Sequence, residues 1–190
     1  MAQRLLIMGP QGVGKGTQAA LLSKHYGIPA ISTGDIFRYN LKNGTELGKQ
    51  AKAYTDKGEL VPDELTNKIV KDRLGMDDAA QGWILDGYPR SASQVEALDE
   101  MLKELGTPLT AVVALDADHE VLMQRIAKRA KEEGRADDTP EAIAKRLDIY
   151  AKETAPLLNT YKTRGLLVAV DGQGEIDQIS KKIITQLDER

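Results

Sequence analysis

The chain has 190 residues, a formal net charge of −3 and no cysteine. This length fits one domain with a buried core, and the small negative charge excludes a general attraction to nucleic acid or to anionic membranes. A chain without cysteine forms no disulfide, which is typical of a reducing compartment, and no apolar run approaches the about 20 residues that span a bilayer. We therefore expect one domain over residues 1–190, located in the cytoplasm, that binds neither nucleic acid nor membrane.

The first motif follows a short apolar run, 5–8, which predicts a buried strand. Residues 9–17 are Gly-Pro-Gln-Gly-Val-Gly-Lys-Gly-Thr, and apolar residues at helical spacing come after them. A strand, a glycine loop and a helix in this order predict a phosphate site, because the loop turns its N–H groups inward and Lys15 adds a positive charge. The alternative is a glycine-rich turn that only reverses the chain. Gly16 stands where most such loops have Ser or Thr, and this variant resembles the nucleoside monophosphate kinases.

The stretch 32–61 follows a second predicted strand, 29–31, and contains no strand of its own. Its pattern predicts helices over 33–41 and 45–57, the second ended by Gly58, and we interpret it as a small helical excursion. Thr33 is expected to cap the first helix, with Arg38 more than one turn further along. From these residues alone, a capped helix with a solvated arginine is as good an interpretation as a binding site.

The third predicted strand, 83–85, ends in a polar turn with the sequence Asp-Gly-Tyr-Pro-Arg. An acidic residue at a strand end beside a phosphate loop, here Asp86, is able to hold Mg²⁺ or its water shell. Arg90 is able to span two phosphates with its fork of donors, and Gln94 has an amide that both donates and accepts, which suits an adenine edge. The alternatives are a helix cap for Asp86 and a solvated charge for Arg90.

Basic residues concentrate after the fourth predicted strand, 111–115. They are Arg125, Lys128, Arg129, Lys131, Arg135 and Arg146. A polar break over 132–138 separates a helix that ends near Lys131 from one that begins at Thr139-Pro140, and we interpret 128–138 as a short lid. The two helices are expected to be antiparallel and to bring the arginines together around an anion. Asp137 and Asp138 either hold these arginines or cap the next helix.

A fifth apolar run, 166–170, completes the alternation of strands and helices. This alternation predicts an α/β fold of the three-layer P-loop type, with helices on both faces of a five-stranded parallel sheet. Ligands bind such sheets at the carboxyl ends of the strands. Each polar motif described above follows one of those ends, so we expect them to form one site.

Together these motifs resemble the adenylate kinase family, in its short-lid form. The resemblance covers essentially the whole chain and includes Gly-x-Gly-Lys-Gly-Thr, Ser-Thr-Gly-Asp, Asp-Gly-Tyr-Pro-Arg-x3-Gln and Gly-Arg-x-Asp-Asp in order. The chain departs from the family at Gln11, where proline is usual. The inserted, sometimes zinc-bound, lid of long-lid relatives is missing, so the resemblance implies no metal ribbon.

The resemblance implies sites for ATP, AMP and Mg²⁺, and a monomer. The residues implied for ATP are Gly12, Val13, Gly14, Lys15, Gly16, Thr17, Arg125, Arg129 and Gly174. Those implied for AMP are Thr33, Arg38, Glu59, Leu60, Val61, Gly87, Tyr88, Pro89, Arg90, Gln94, Arg135 and Arg146. Those implied for catalysis are Lys15, Arg90, Arg129, Arg135 and Arg146, and those for Mg²⁺, through water, are Asp35 and Asp86.

The activity implied is reversible transfer of the γ-phosphoryl of Mg–ATP to AMP, giving two ADP. A UMP/CMP kinase of the same fold is the first alternative, although Thr33 and Gln94 favour adenine. A GTP-dependent switch is the second, since residues 171–174 and Asn67-Lys68 resemble its motifs. The first of these lies too near the chain's end, and the second has Val70 where an Asp is needed.

Overall fold

A parallel sheet forms the centre of the protein. The computed structural model describes residues 2–57, 59–135 and 138–190. Its strands are β1 (Arg4–Met8), β2 (Ala30–Ser32), β3 (Trp83–Asp86), β4 (Ala111–Asp116) and β5 (Leu167–Asp171). They pair in the order β2-β3-β1-β4-β5, all parallel. The predicted α/β fold is confirmed, and each predicted strand is within one residue of the observed one at both ends.

Helices connect and flank the strands. In the described part of the chain they are α1 (Lys15–Tyr26), α2 (Thr33–Lys42), α3 (Glu46–Thr55), α4 (Asp63–Leu74), α5 (Ala92–Leu105), α6 (His119–Glu133), α7 (Pro140–Ile149), α8 (Ala155–Thr163) and α9 (Ile176–Asp188). A π-helical segment, Tyr150–Thr154, joins α7 to α8. The predicted start of α7 is confirmed, because the Thr139 hydroxyl accepts a hydrogen bond from the backbone N–H of Ala142 at 3.2 Å. No helix in the described ranges is long and apolar enough to cross a bilayer.

Both faces of the sheet are covered by apolar side chains. Alternate residues of a strand point to opposite faces, so Leu5 packs in one core with residues of α1 and α9. Its neighbour Leu6 packs in a second core with residues of α4, α5 and α8. The sheet is thereby fixed between two helical layers, and the loops at the carboxyl ends of its strands share a rigid support.

Helices α2 and α3 have a small core of their own, formed by Phe37, Ala51 and Val61. Our prediction that Thr33 caps α2 is wrong. Ser32 is the cap, and its hydroxyl accepts the backbone N–H of Asp35 at 3.2 Å. The boundaries 32–61 and 128–138 stay predictions, and Gly58, Ala136 and Asp137 lie outside the described residues.

Candidate active site

A cleft of about 850 Å³ lies where β1, β2 and β3 end. It is lined by the glycine loop, by residues from 32–61 and by residues of α6 and α7. The predicted site residues in its lining are Gly12, Val13, Gly14, Lys15, Gly16, Thr17, Thr33, Asp35, Arg38, Glu59, Leu60, Val61, Asp86, Gly87, Tyr88, Pro89, Arg90, Gln94, Arg125, Arg129, Arg135 and Arg146. Gly174 is exposed and lies outside this lining, although Gly172 and Ile176 on either side belong to it.

The glycine loop leaves the start of α1 open. Gly12 has a φ of +87°, and a Cβ there would lie 2.9 Å from the backbone oxygen of Leu122, so the loop lies tightly against α6. Gly14 precedes α1 with a φ of +99°, and no side chain caps this helix. Helices α2, α3, α5 and α7 each have a side-chain cap. The first N–H groups of α1 are thus available to an anion, which the helix dipole attracts.

Lys15 is held beneath the glycine loop. Its ammonium group donates to the backbone oxygens of Gly9 at 2.9 Å and Pro10 at 3.2 Å. The pKa of Lys15 is lowered to about 8, chiefly by burial. The carboxylate of Asp86 raises this pKa, and the charges of Arg90 and Arg129 lower it further. The loop, the end of β3 and two arginines therefore surround one ammonium group.

Asp86 is the acidic group nearest the glycine loop among those predicted to hold Mg²⁺. In the sheet it is aligned with Ile7 of β1, and a Cβ on Gly16 would lie 3.9 Å from its Oδ2. Asp35 is exposed and forms an ion pair with Arg38. No group of three or more metal-binding side chains occurs in the described part of the chain. Mg²⁺ beside phosphates needs only one or two carboxylates, so the residues present fit it.

Arg90 lies among other charges at the end of β3. Its Nε donates to the backbone oxygen of Gly87 at 2.7 Å, which fixes the side chain across the turn. Burial lowers the pKa of Arg90, the carboxylate of Asp86 opposes this, and the nearby charges of Arg146 and Arg38 lower it further. Several cations in one partly buried place favour an anionic ligand.

Asp138 brings Arg129 and Arg146 together. Its side chain is 0% exposed. Both of its oxygens accept from Arg129, each at 3.0 Å, and its Oδ1 lies 3.5 Å from Arg146 Nη1. Because Thr139 caps α7, Asp138 holds arginines instead of capping the helix. Its predicted companion Asp137 lies outside the described residues.

Two further predicted arginines have partners of different kinds. Arg125 donates through Nη1 to the backbone oxygens of Val13 at 3.1 Å and Gly172 at 2.9 Å, so it joins the glycine loop to the loop after β5. Arg135 forms an ion pair with Glu133 and does not bind Asp138. Both arginines still line the cleft.

The end of the helical excursion contacts α7 across the cleft. Glu59 accepts a hydrogen bond from Lys145 at 2.6 Å, and this bond, together with the charge of Lys145, lowers the pKa of Glu59. Both side chains are substantially exposed, so the pair contributes little stability. The two sides of the cleft are therefore linked by a contact that is readily broken.

Sequence reasoning missed three residues that hold predicted ones in place. Asp63 accepts a hydrogen bond from the Gln94 amide, Thr154 donates to the backbone oxygen of Arg90 at 2.8 Å, and Gln11 donates to Asp138. In the sequence, Asp63 has the pattern of an ordinary acidic residue in a first helical turn. Thr154 lies in the π-helical segment, a feature frequent at functional sites that sequence patterns do not reveal.

Comparison with known proteins adds independent evidence. A family model described as adenylate kinase matches residues 7–166. The chain is 71% identical to an adenylate kinase of Bifidobacterium longum, over 97% of this chain and 100% of that protein. It is 55% identical to an adenylate kinase of Leifsonia xyli, over 98% of this chain and 94% of the relative. It is 52% identical to an adenylate kinase of Kocuria rhizophila, over 97% of this chain and 98% of that relative.

Proposed function

Because this chain belongs to the adenylate kinase family and catalyses reversible phosphoryl transfer between ATP and AMP, we propose that its cleft holds the two nucleotides end to end. The observation that carries this proposal is the continuity of the lining. Lys15 and the start of α1 lie in the same cleft as Thr33 and Gln94. The charges of Arg90 and Arg129 act on Lys15, and those of Arg146 and Arg38 act on Arg90, which supports a chain of phosphates running from one part to the other.

ATP is assigned to the side formed by the glycine loop and α6. Its phosphates are bound by the N–H groups of residues 12–17 and by Lys15, since a glycine loop before a helix is suited to anions. Arg129 neutralises their outer charge. The adenine lies against Arg125 and the loop after β5, near Gly174. The two backbone contacts of Arg125 support this placement, because they hold its planar guanidinium at that end of the cleft.

AMP is assigned to the side formed by α2, residues 59–61 and the turn after β3. Its base contacts Thr33, Gln94 and the backbone near Leu60 and Val61. Its phosphate is bound by the remaining cations of this side, which are Arg38, Arg90, Arg135 and Arg146. The turn 87–90 brings the chain close to the base, since a Cβ on Gly87 would lie 2.7 Å from the Thr33 hydroxyl.

The chemical step needs positioning and charge neutralisation. An oxygen of the AMP phosphate attacks the γ-phosphorus, and the bond from that phosphorus to the β–γ bridging oxygen breaks, which leaves two ADP. The attacking oxygen is already anionic, so no general base is required. Lys15, Arg90, Arg129, Arg135 and Arg146 neutralise the charge that spreads over the transferred group.

Mg²⁺ is assigned to the acidic groups beside the phosphates. Asp86, and Asp35 from α2, are expected to hold its water shell. When bound, the ion neutralises charge on the phosphate oxygens and orients them. The proximity of Asp86 to Gly16 supports its part in this assignment.

The excursion 32–61 and the lid 128–138 close over the substrates to exclude water, because hydrolysis competes with transfer. The weak contact between Glu59 and Lys145 supports this proposal, since it permits opening.

The protein is proposed to work as a monomer in the cytoplasm. The absence of cysteine is in keeping with this reducing compartment.

A coupled assay that offers AMP, CMP, UMP and GMP as acceptors with Mg–ATP tests the adenine assignment. We expect AMP to be used with a kcat/KM at least 100-fold above the others, because a site built to pair with polar groups of a base rejects one that leaves them unpaired. Comparable use of CMP or UMP would overturn it.

A further inference from the structure

The side-chain amide of Gln94 is fixed from both ends. Gln94 is 2% exposed. Its Oε1 accepts the backbone N–H of Arg90 at 2.7 Å, and its Nε2 donates to Oδ1 of Asp63 at 2.7 Å. A backbone N–H only donates and a carboxylate only accepts. These two partners therefore determine which end of the amide is oxygen and which is nitrogen.

Asp63 is itself held firmly. It is the first residue of α4, where the helix dipole favours a negative charge. Its Oδ2 accepts hydrogen bonds from the hydroxyls of Ser91 and Ser93 at the start of α5. The carboxylate thus joins the starts of two helices and presents its other oxygen to Gln94.

The partner at the other end is equally fixed. The Arg90 side chain bonds back to Gly87 at 2.7 Å, and Thr154 donates to the backbone oxygen of Arg90 at 2.8 Å. The Tyr88 hydroxyl lies 3.2 Å from the backbone oxygen of Gln94. The backbone N–H that Gln94 accepts therefore belongs to a turn tied at several points.

Each of these bonds uses one site, which leaves one lone pair on Oε1 and one hydrogen on Nε2. Because Gln94 lines the cleft, we assign these remaining sites to the base. A 6-aminopurine presents a donor at N6 and an acceptor at N1, which match an oxygen and an N–H in fixed order. A 6-oxopurine presents the reverse pattern. To pair with it, the amide would have to flip, which would set Oε1 against the Asp63 carboxylate and Nε2 against the Arg90 N–H.

We propose that Asp63 is a positioning residue that fixes the Gln94 amide and thereby makes the acceptor site select a 6-aminopurine over a 6-oxopurine. This inference rests on the proposed placement of the AMP base at Gln94. Asp63 does not touch the substrate. It makes the flipped amide unfavourable, because an amide oxygen cannot bond to a carboxylate.

The test compares kcat/KM for AMP and for IMP, which differ at the N1 and C6 edge of the purine, in the wild type and in Asp63→Asn. An asparagine of the same shape is able to donate to a flipped Gln94 oxygen, so this variant removes one of the two clashes that the flip creates, while that with the Arg90 N–H remains. The AMP-to-IMP ratio is expected to fall about tenfold. Glu64→Gln is the matched control, because it removes one charge from the same helical turn at an exposed position. It is expected to leave the ratio unchanged.

The ratio separates positioning from general damage, since a merely destabilised enzyme loses activity with both acceptors together. An unchanged ratio in a folded Asp63→Asn protein overturns the inference. Gln94→Ala distinguishes this failure from a failure of the proposed function. If Gln94→Ala lowers the ratio and Asp63→Asn does not, only the positioning role is wrong. If neither changes it, the base lies elsewhere and the AMP assignment is wrong as well.

Discussion

Gln11 of the glycine loop donates a hydrogen bond of 3.0 Å to Asp138, although 127 residues separate them. The same carboxylate accepts from Arg129 and lies beside Arg146, so one buried charge joins the loop to both arginines. The resemblance to the family implies proline at position 11, and proline has no side-chain donor. This link between the loop and the proposed lid therefore depends on Gln11.

Removing the charge of Asp138 should cost far more stability than removing the bond from Gln11. We expect Asp138→Asn to lower the free energy of unfolding by about 3 kcal/mol, because it removes the buried carboxylate whose two oxygens both bind the partly buried Arg129. Gln11→Ala should cost about 1 kcal/mol or less, since one neutral donor is lost and the Gln11 Oε1 is buried without a partner. Urea denaturation without nucleotide measures both. Asp148→Asn, in an exposed pair with Lys152, is the control, and equal losses in all three variants would contradict the expectation.

Lys15→Met should lower turnover about 100-fold or more with folding intact, because we assign Lys15 to neutralise charge on the transferred group. Steady-state assays measure kcat, and thermal unfolding checks the fold. Lys24→Met is the matched control, as Lys24 is an exposed residue in the last turn of the same helix. Turnover near the wild-type value in Lys15→Met would remove the role assigned to this ammonium group.

The pH dependence of ATP use should reflect the lowered pKa of Lys15. Lysine is charged below its pKa, so raising the pH through about 8 removes the charge from free Lys15, and kcat/KM for ATP should fall across that range. Bound phosphates raise this pKa again, so kcat should hold to higher pH. A profile of both constants from pH 7 to 9.5 measures this. In Lys15→Met, the residual kcat/KM for ATP should not fall over this pH range. A wild-type kcat/KM for ATP that does not change with pH would refute the expectation.

Gly48→Ala should weaken the use of AMP more than that of ATP. A Cβ on Gly48 would overlap the backbone oxygen of Asn40, so α3 could not pack as closely on α2. We expect a loss of about 1–3 kcal/mol in unfolding free energy and a larger rise in KM for AMP than for ATP. Gly75→Ala is the control, because a Cβ there makes only ordinary contacts, at 3.6 Å. Equal rises in KM for AMP and KM for ATP would show that α2 and α3 have no particular part in AMP binding.

Local patterns were sufficient to predict the sheet and the position of the cleft. Three consecutive apolar residues predict the strand 83–85. Asp86 follows this strand and therefore lies on the side of the sheet where the carboxyl ends of the parallel strands meet. That the two arginine-bearing helices are antiparallel, inferred from their short polar connection, stays a prediction. Each of these inferences needs only neighbouring residues and the geometry of the fold.

Contacts between distant segments were not predictable in the same way. The bonds from Gln94 to Asp63 and from Gln11 to Asp138 join residues 31 and 127 positions apart. Nothing in the local sequence distinguishes Asp63 from the acidic residue beside it, Glu64. The sequence does not distinguish Thr33 from Ser32 as the cap of α2, because both hydroxyls suit a cap and only the backbone conformation decides for Ser32.

The central claim is that one cleft holds both nucleotides end to end, and calorimetric titration with a bisubstrate inhibitor tests it most directly. The inhibitor has two adenosines joined by a polyphosphate. We predict that one molecule binds per chain and that the saturated protein then binds neither ATP nor AMP. Binding of two inhibitor molecules per chain, or binding of AMP to the saturated protein, would contradict the account.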